Sequence, residues 1–377
     1  MKSEQLIAKP GGHWQPSTNL GQADLVLYFG IRDALEDGHL FKALQQRYPA
    51  AAIVGCSTGG QILGDDVTDE IATAVALDFD TTSVKLSVQK ITDDNTSNDY
   101  GRTIGRELAG PDLAGVFLLS DGISVNGSEL TAGLVAELGP DVSLSGGMAG
   151  DGAAFKRTLV GGNASPAENV IVAVGFYGPK INIQTGSSGG WDVFGPHRSI
   201  TRSIGNVLYE LDGRPALDLY ERYLGDKAAG LPGTALLFPL KISDPKRPEH
   251  DIVRTILSVD RIAKTMTFAG NVPQGWTAQL MRGRFSELAA GSADAARQAC
   301  GGTKKENALA LLVSCIGRRL LMGQMVADEI EAATAEIGPD NAILGFYSYG
   351  EIAPHKISHI AELHNQTMTI TMISESI

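Results

Sequence analysis

The sequence predicts an α/β fold of two related lobes, each with mixed sheets flanked by helices. The chain has 377 residues, 43% of them hydrophobic and 20% charged, so it is longer than one hydrophobic core usually serves. A strand–helix–strand pattern occurs three times, and segments with the alternation typical of antiparallel strands lie between the copies. We therefore expect one domain over residues 1–200 and a second over residues 201–377.

Each copy of the repeat joins two apolar strands through a helix. The predicted strand, helix and strand are 25–29, 33–48 and 51–54 in the first copy, 113–119, 126–138 and 140–146 in the second, and 309–313, 321–337 and 339–345 in the third. A Gly-Pro-Asp turn follows the helix in the second and third copies, at Gly139 and Gly338. Because glycine ends helices and proline prevents their continuation, the shared turn indicates that the two halves are related.

The segments between the copies predict antiparallel strands and a boundary. Alternating strands are expected at 72–79, 84–91, 171–176 and 181–185. The stretch 186–196 is dense in glycine, and a helical pattern begins at Ser203. This change of composition places the lobe boundary near residue 200.

Charge and cysteine content exclude several classes of partner and cofactor. A formal charge of −12 with only paired basic clusters disfavours nucleic acid and anionic membranes. The longest apolar run, 308–313, is too short to span a bilayer, and residues 1–14 lack a signal-peptide core, so we expect a cytoplasmic protein. The three cysteines form no CxxC pair, which argues against a disulfide framework, a structural zinc ion or an iron–sulfur cluster.

Polar and small residues follow the second strand of each copy. The second strand of the first copy is followed by Cys56, Ser57 and Thr58. The second strand of the second copy is followed by Gly147 and Asp151, and that of the third copy by Tyr349 and Glu351. Because ligands bind beyond the carboxyl ends of strands in α/β sheets, these segments are expected to converge on one ligand crevice.

Two charged residues follow the first strand of a copy. Asp121 is a candidate ligand contact but also fits an ordinary Asp-Gly turn. Arg318 could bind a ligand carboxylate through two parallel hydrogen bonds from its guanidinium group, although a surface ion pair is the simpler interpretation. Asp151 and Glu351 would suit a ligand ammonium or hydroxyl group.

Cys56 is the one candidate nucleophile. No motif supplies a base beside it, so we predict no enzymatic activity and no catalytic residue. A hydrolase or transferase that uses Cys56 is the alternative, and it would require a thiol of depressed pKa.

The segments 55–58, 145–151, 314–318 and 345–351 carry a resemblance to a known family. Over nearly its whole length the chain resembles FIST proteins, with an N-terminal FIST domain followed by a C-terminal one. The resemblance implies a sensory domain of signal transduction that binds small ligands such as amino acids.

Within that family the chain is most similar to stand-alone nitric-oxide-sensing haem proteins that act with a histidine kinase. This similarity rests on length and on the segments 314–320 and 363–368. It implies non-covalent haem b, because the chain has no CxxCH, and a kinase partner. His364 is the first candidate for the iron ligand, with His355, His359 and His197 as alternatives.

Overall fold

The fold consists of three similar β-sheet units and one inserted antiparallel sheet. The structure is a computed structural model that describes residues 1–9, 11–69, 71–92, 94–302 and 306–376. The first unit comprises strands β1 (Lys2–Ala8), β2 (Trp14–Pro16) and β3 (Leu25–Gly30), helices α1 (Arg32–Leu35) and α2 (His39–Arg47), and strands β4 (Ala52–Ser57), β5 (Gln61–Leu63), β6 (Asp66–Thr68) and β7 (Ala72–Asp78).

The second unit follows directly along the chain. It comprises β8 (Ser83–Lys90), α3 (Ser97–Leu108), β9 (Leu113–Ser120), α4 (Gly127–Leu138), β10 (Ser143–Met148), β11 (Val160–Gly162) and β12 (Val170–Tyr177).

The third unit begins with one strand and is then interrupted by the inserted sheet. After β13 (Ile181–Ser188), the insertion comprises β14 (Trp191–Ile204), β15 (Val207–Leu211), β16 (Arg214–Pro215), α5 (Ala216–Leu224), β17 (Leu240–Asp244), β18 (Arg247–Arg254), β19 (Ile256–Asp260), β20 (Thr265–Phe268) and β21 (Thr277–Gly283). The unit resumes with α6 (Phe285–Cys300), β22 (Leu309–Cys315), α7 (Ile316–Met322), α8 (Val326–Ile337), β23 (Ala342–Ser348), β24 (Gly350–Pro354), β25 (Ala361–His364) and β26 (Met368–Glu375).

The three units share one strand order. Their sheets contain the runs β4-β3-β7-β1, β10-β9-β12-β8 and β23-β22-β26-β13, in which only the first pair is parallel. The mixed α/β class, the three strand–helix–strand copies and the four antiparallel strands expected between them are all confirmed.

Each unit also donates its next strand to a neighbouring unit. Strand β5 pairs with β23, β11 pairs with β4, and β24 pairs with β10. The exchange runs from the first unit to the third, from the second to the first, and from the third to the second, so the units close into a ring. Both halves of the chain thus contribute strands to shared sheets, while the expected boundary at residue 200 stays a prediction.

An apolar core fills the space where the three sheets face one another. Phe29 and Phe117 come from the equivalent strands β3 and β9, Phe346 comes from β23 of the third unit, and all three are nearly or fully buried. The rings of Phe29 and Phe346 lie 4.4 Å apart. Aromatic and branched side chains of three sheets are thus removed from water in one place, which favours the ring over separate units.

Three predicted helices needed correction. The helix expected over 33–48 is two, α1 and α2, because Gly38 takes a left-handed conformation with φ of 69°. The helix expected over 321–337 begins only at Val326, since Gly323 with φ of 55° separates α7 from α8. The helix predicted from Ser203 is wrong. The chain there forms the β14–β15 hairpin, whose Ile200 and Leu208 pack into the core of the inserted sheet.

The second repeat helix has the predicted ends. The Asn126 side chain accepts the backbone N–H groups of Ser128 and Glu129, at 3.1 and 3.3 Å, and so caps the start of α4. Gly139 and Gly338 end α4 and α8 with positive φ, as their shared turn predicted.

Candidate functional site

The three strand-end segments converge, as the repeat predicted. The Gly150 N–H donates to the Ser57 carbonyl at 2.9 Å, and the Gly59 N–H donates to the Tyr347 carbonyl at 2.8 Å. The Tyr349 N–H completes the ring by donating to the Met148 carbonyl at 3.2 Å. These three backbone bonds join the units to one another at the carboxyl ends of their strands.

The first-unit residues at this junction are held inside the protein. Cys56 is fully buried in the central apolar core, and burial raises the pKa of its thiol well above the usual value. The Ser57 hydroxyl accepts the Leu159 N–H at 2.9 Å, and the Thr58 hydroxyl accepts the Gln61 amide at 2.9 Å. A buried thiol of raised pKa is the opposite of what a nucleophile requires.

Gly147 and Asp121 have structural surroundings. A Cβ atom at Gly147 would lie 2.6 Å from a Val313 methyl carbon, so the glycine allows two sheets to approach closely. The Asp121 carboxylate accepts the backbone N–H groups of Ile123, Ser124 and Asn169 at 2.8, 2.8 and 3.1 Å. Asp121 thus shapes its own turn, in the manner of an ordinary Asp-Gly loop.

Asp151 and Tyr349 meet across two units, together with an arginine that the sequence analysis missed. The Asp151 carboxylate accepts the Arg32 guanidinium at 2.9 Å and also bonds to the Tyr349 hydroxyl. Phe155 stacks on the Tyr349 ring with centroids 4.3 Å apart. Arg32 follows β3 at a strand end, so the strand-end rule that selected Arg318 could have selected it too.

Arg318 lies within the protein and not on a crevice. Its side chain and that of Glu329 are both fully buried, with Nη2 and Oε2 2.8 Å apart. Its Nε also bonds to Glu329, at 2.9 Å, while Nη1 and Nη2 donate to the carbonyls of Gly189 and Leu288. Each of its three nitrogens thus has a partner in the folded chain.

Glu351, the second residue of β24, is likewise fully buried. It accepts the Ser348 hydroxyl at 2.6 Å and both the backbone N–H and the hydroxyl of Thr367 at 3.1 Å. Burial raises the pKa of Glu351 to about 8, because a charge is poorly solvated there. The carboxyl group is therefore largely protonated at neutral pH.

A polar cavity lies where the inserted sheet meets the third unit. Its volume is about 260 Å³. The chain crosses from β13 to β14 along one side, β18 and α6 form two more, and the segments around 355 and 364 form the last. The polar or charged lining residues include Ser187, Ser188, Asp251, Asp294, Gln298, Lys356 and Thr367.

His364 and His355 both line the polar cavity. Burial lowers the pKa of His364 to about 4, so its imidazole is neutral at physiological pH, and its Nε2 lies 3.1 Å from the Ala353 carbonyl oxygen. The His355 ring is parallel to it, with centroids 6.3 Å apart. His359 and His197 are exposed and do not line this cavity.

The surroundings of His364 fit a haem poorly. A cavity of about 260 Å³ is below the roughly 300–1,000 Å³ of ordinary small-molecule pockets, and a porphyrin is a large ligand of that class. Lys356, Asp251 and Asp294 place charges where an apolar macrocycle would lie.

These features define an α/β protein of three repeated units with a small polar cavity at its junction with an inserted sheet. The chain belongs to the FIST family: the FIST N domain matches residues 24–214 and the FIST C domain matches residues 216–354. FIST domains sense small ligands in signal transduction. Among the helices of the described residues, none combines the length and apolar character needed to cross a membrane.

Two individual proteins are also similar to the chain. The uncharacterized protein MJ1623 of Methanocaldococcus jannaschii is 25% identical over 221 residues, which are 55% of this chain and 41% of that protein. The match thus spans about two fifths of that relative's length. A crystal structure of chorismatase aligns over 99% of this chain and 98% of its own, with 10% identity and a TM-score of 0.34, a similarity too low to carry an argument.

Proposed function

We propose that this protein senses a small zwitterionic metabolite of the amino-acid class, held in the polar cavity, and passes the signal to a partner protein such as a histidine kinase. The observation that carries the proposal is a cavity of amino-acid size whose lining contains both signs of charge. Such a lining matches a ligand that has an ammonium and a carboxylate group.

Individual residues have suitable chemistry for each part of that ligand. Lys356 is exposed at the cavity and can pair with a carboxylate, while Asp294 and Asp251 can accept an ammonium group. Asp251 already pairs with Lys241 at 2.5 Å, whereas Asp294 has only the longer contacts to Arg297 at 3.4 Å and to the Gln298 amide at 3.1 Å, which makes Asp294 the better ammonium partner. The neutral ring of His364 can exchange a hydrogen bond with the ligand without adding charge.

The position of the cavity supports a sensory role. Its walls come both from the inserted sheet, at Ile252 and Met281, and from the third unit, at Gln298 and Thr367. A ligand that contacts both the inserted sheet and the third unit favours the relative packing of these two parts in which both contacts form. The resulting shift is what a partner protein would detect.

Thermal unfolding with a panel of amino acids tests this proposal. A ligand at about 100 times its Kd stabilises the folded state by ~2.7 kcal/mol, so one member of the panel should raise the melting temperature. Lys356→Ala should weaken that ligand about tenfold or more, a loss of ~1.4 kcal/mol, because the carboxylate loses its partner. Lys90→Ala removes an equal charge from an exposed site on β8 and should leave the affinity unchanged. A panel without any shift would overturn the proposal.

Haem with nitric oxide as its signal is the second candidate function. The observation in its favour is that His364 is neutral and lines the cavity, since neutral imidazole is the form that ligates iron. Because the cavity fits a porphyrin poorly, we expect haemin added to the purified protein to give no absorption band that depends on His364. A band that disappears in His364→Ala but persists in His197→Ala would establish haem binding and contradict this expectation.

A further inference from the structure

Three potential metal ligands meet beside the polar cavity. His250 lies on β18, His355 directly follows β24, and Glu362 lies on β25. One ligand atom from each side chain can be chosen so that all lie within 4.8 Å of one another. The His250 Nε2 is 3.1 Å from a Glu362 carboxylate oxygen, and the two imidazole centroids are 4.8 Å apart.

One imidazole nitrogen in this cluster has no partner within the described protein, and another has only long contacts. His250 Nδ1 is buried and has no hydrogen-bond partner among the described residues. His355 is 3% exposed, and the N–H groups that its Nδ1 accepts, from Ile357 and Ser358, are distant at 3.3 and 3.4 Å. A buried nitrogen without a partner is destabilising, so the lone pair of His250 Nδ1 is available to bind a metal ion.

We propose that His250, His355 and Glu362 form a binding site for one divalent transition-metal ion, with Zn²⁺ the best match. Two imidazoles and one carboxylate are a donor set of known zinc sites that keep a fourth position open. Borderline metals prefer this mixture of nitrogen and oxygen over the all-oxygen sets of Mg²⁺ and Ca²⁺.

The surroundings supply outer contacts and space for a fourth ligand. The backbone of Asp251 bonds to the His355 ring, and Trp276 packs edge-on against His250 at 5.5 Å. Such contacts fix the orientation of metal-binding imidazoles. Glu362 and Trp276 also line a second cavity, of about 390 Å³, between α4 and the inserted sheet, which can admit water or an exchangeable ligand.

The site would join the inserted sheet to the third unit. His250 comes from the insertion, whereas His355 and Glu362 come from the hairpin that pairs with the second unit. A bound ion would thus connect the inserted sheet to this hairpin of the third unit. No spacing motif could show this, because His250 and Glu362 are 112 positions apart in sequence.

Titration of the chelator-treated full chain with Co²⁺, followed by competition with Zn²⁺, tests the site. We expect one equivalent of Co²⁺ to give visible absorption and Zn²⁺ to displace it. Glu362→Gln and His250→Gln should each weaken binding about 100-fold or more, since each removes one of three ligands. The exposed His197→Ala is the matched control and should bind like the wild type.

The outcomes separate this proposal from the metabolite sensor. The two glutamine variants decide the result, and His355→Ala serves as a third ligand variant once circular dichroism shows that it folds. Absent Co²⁺ absorption in the wild type, or binding as tight as the wild type in both glutamine variants, would overturn the metal site. Lys356→Ala should weaken the metabolite and leave Co²⁺ binding intact, so either proposal can fail alone.

Discussion

Replacing Arg318 by alanine is expected to lower the free energy of unfolding by about 3–5 kcal/mol. The change leaves the Glu329 carboxylate without its cation in a fully buried site, where both side chains have no exposed surface. It also removes the donors to the Gly189 and Leu288 carbonyls. Urea unfolding followed by circular dichroism measures the loss.

A surface pair provides the matched control for Arg318. Arg297 and Glu336 are 2.9 Å apart but partly exposed, so Arg297→Ala should cost about 1 kcal/mol or less. The double variant Arg318→Met with Glu329→Leu should recover much of the loss, because it leaves no unpaired buried charge. If Arg318→Ala unfolds like the wild type but no longer binds its ligand, Arg318 has the ligand-gripping role predicted from the sequence.

Replacing Glu351 by glutamine is expected to remove a large pH dependence of stability. The folded-state pKa of Glu351 is raised to about 8 from an ordinary value of 4.5. Between these values the folded protein holds a proton that the unfolded chain has lost, so stability falls as pH rises. The full difference is on the order of 5 kcal/mol, and the fall is complete above about pH 8.

The measurement compares unfolding free energies of the two proteins at several pH values. Relative to the wild type, Glu351→Gln should gain stability steadily from about pH 5 to about pH 8.5, because glutamine carries no charge to bury. Glu249→Gln removes a charge from an exposed position on β18 and provides the control. Its unfolding free energy should change with pH in parallel with that of the wild type. Parallel curves for Glu351→Gln as well would show that the carboxyl group is ionised in the folded protein at neutral pH.

The amino-acid sequence by itself determined the repeat and the local elements. Apolar strands, helical spacing and Gly-Pro-Asp turns are local signals, since they depend on side-chain periodicity and on backbone conformations within a few residues. For that reason the repeat strands, the extent of the second repeat helix and the convergence of the strand ends were predictable. The FIST resemblance was equally readable, because its motifs lie at those same strand ends.

Only the tertiary structure decided which polar residues face a cavity. Arg318 and Glu351 follow strands just as ligand-binding residues do, but each is enclosed by partners that lie far away in sequence, such as Leu288 and Thr367. The polar cavity and the His250, His355 and Glu362 cluster arise where the insertion between β13 and α6 packs against the third unit. Side chains meet there through long-range packing of separate sheets, and no local periodicity of the sequence encodes that contact.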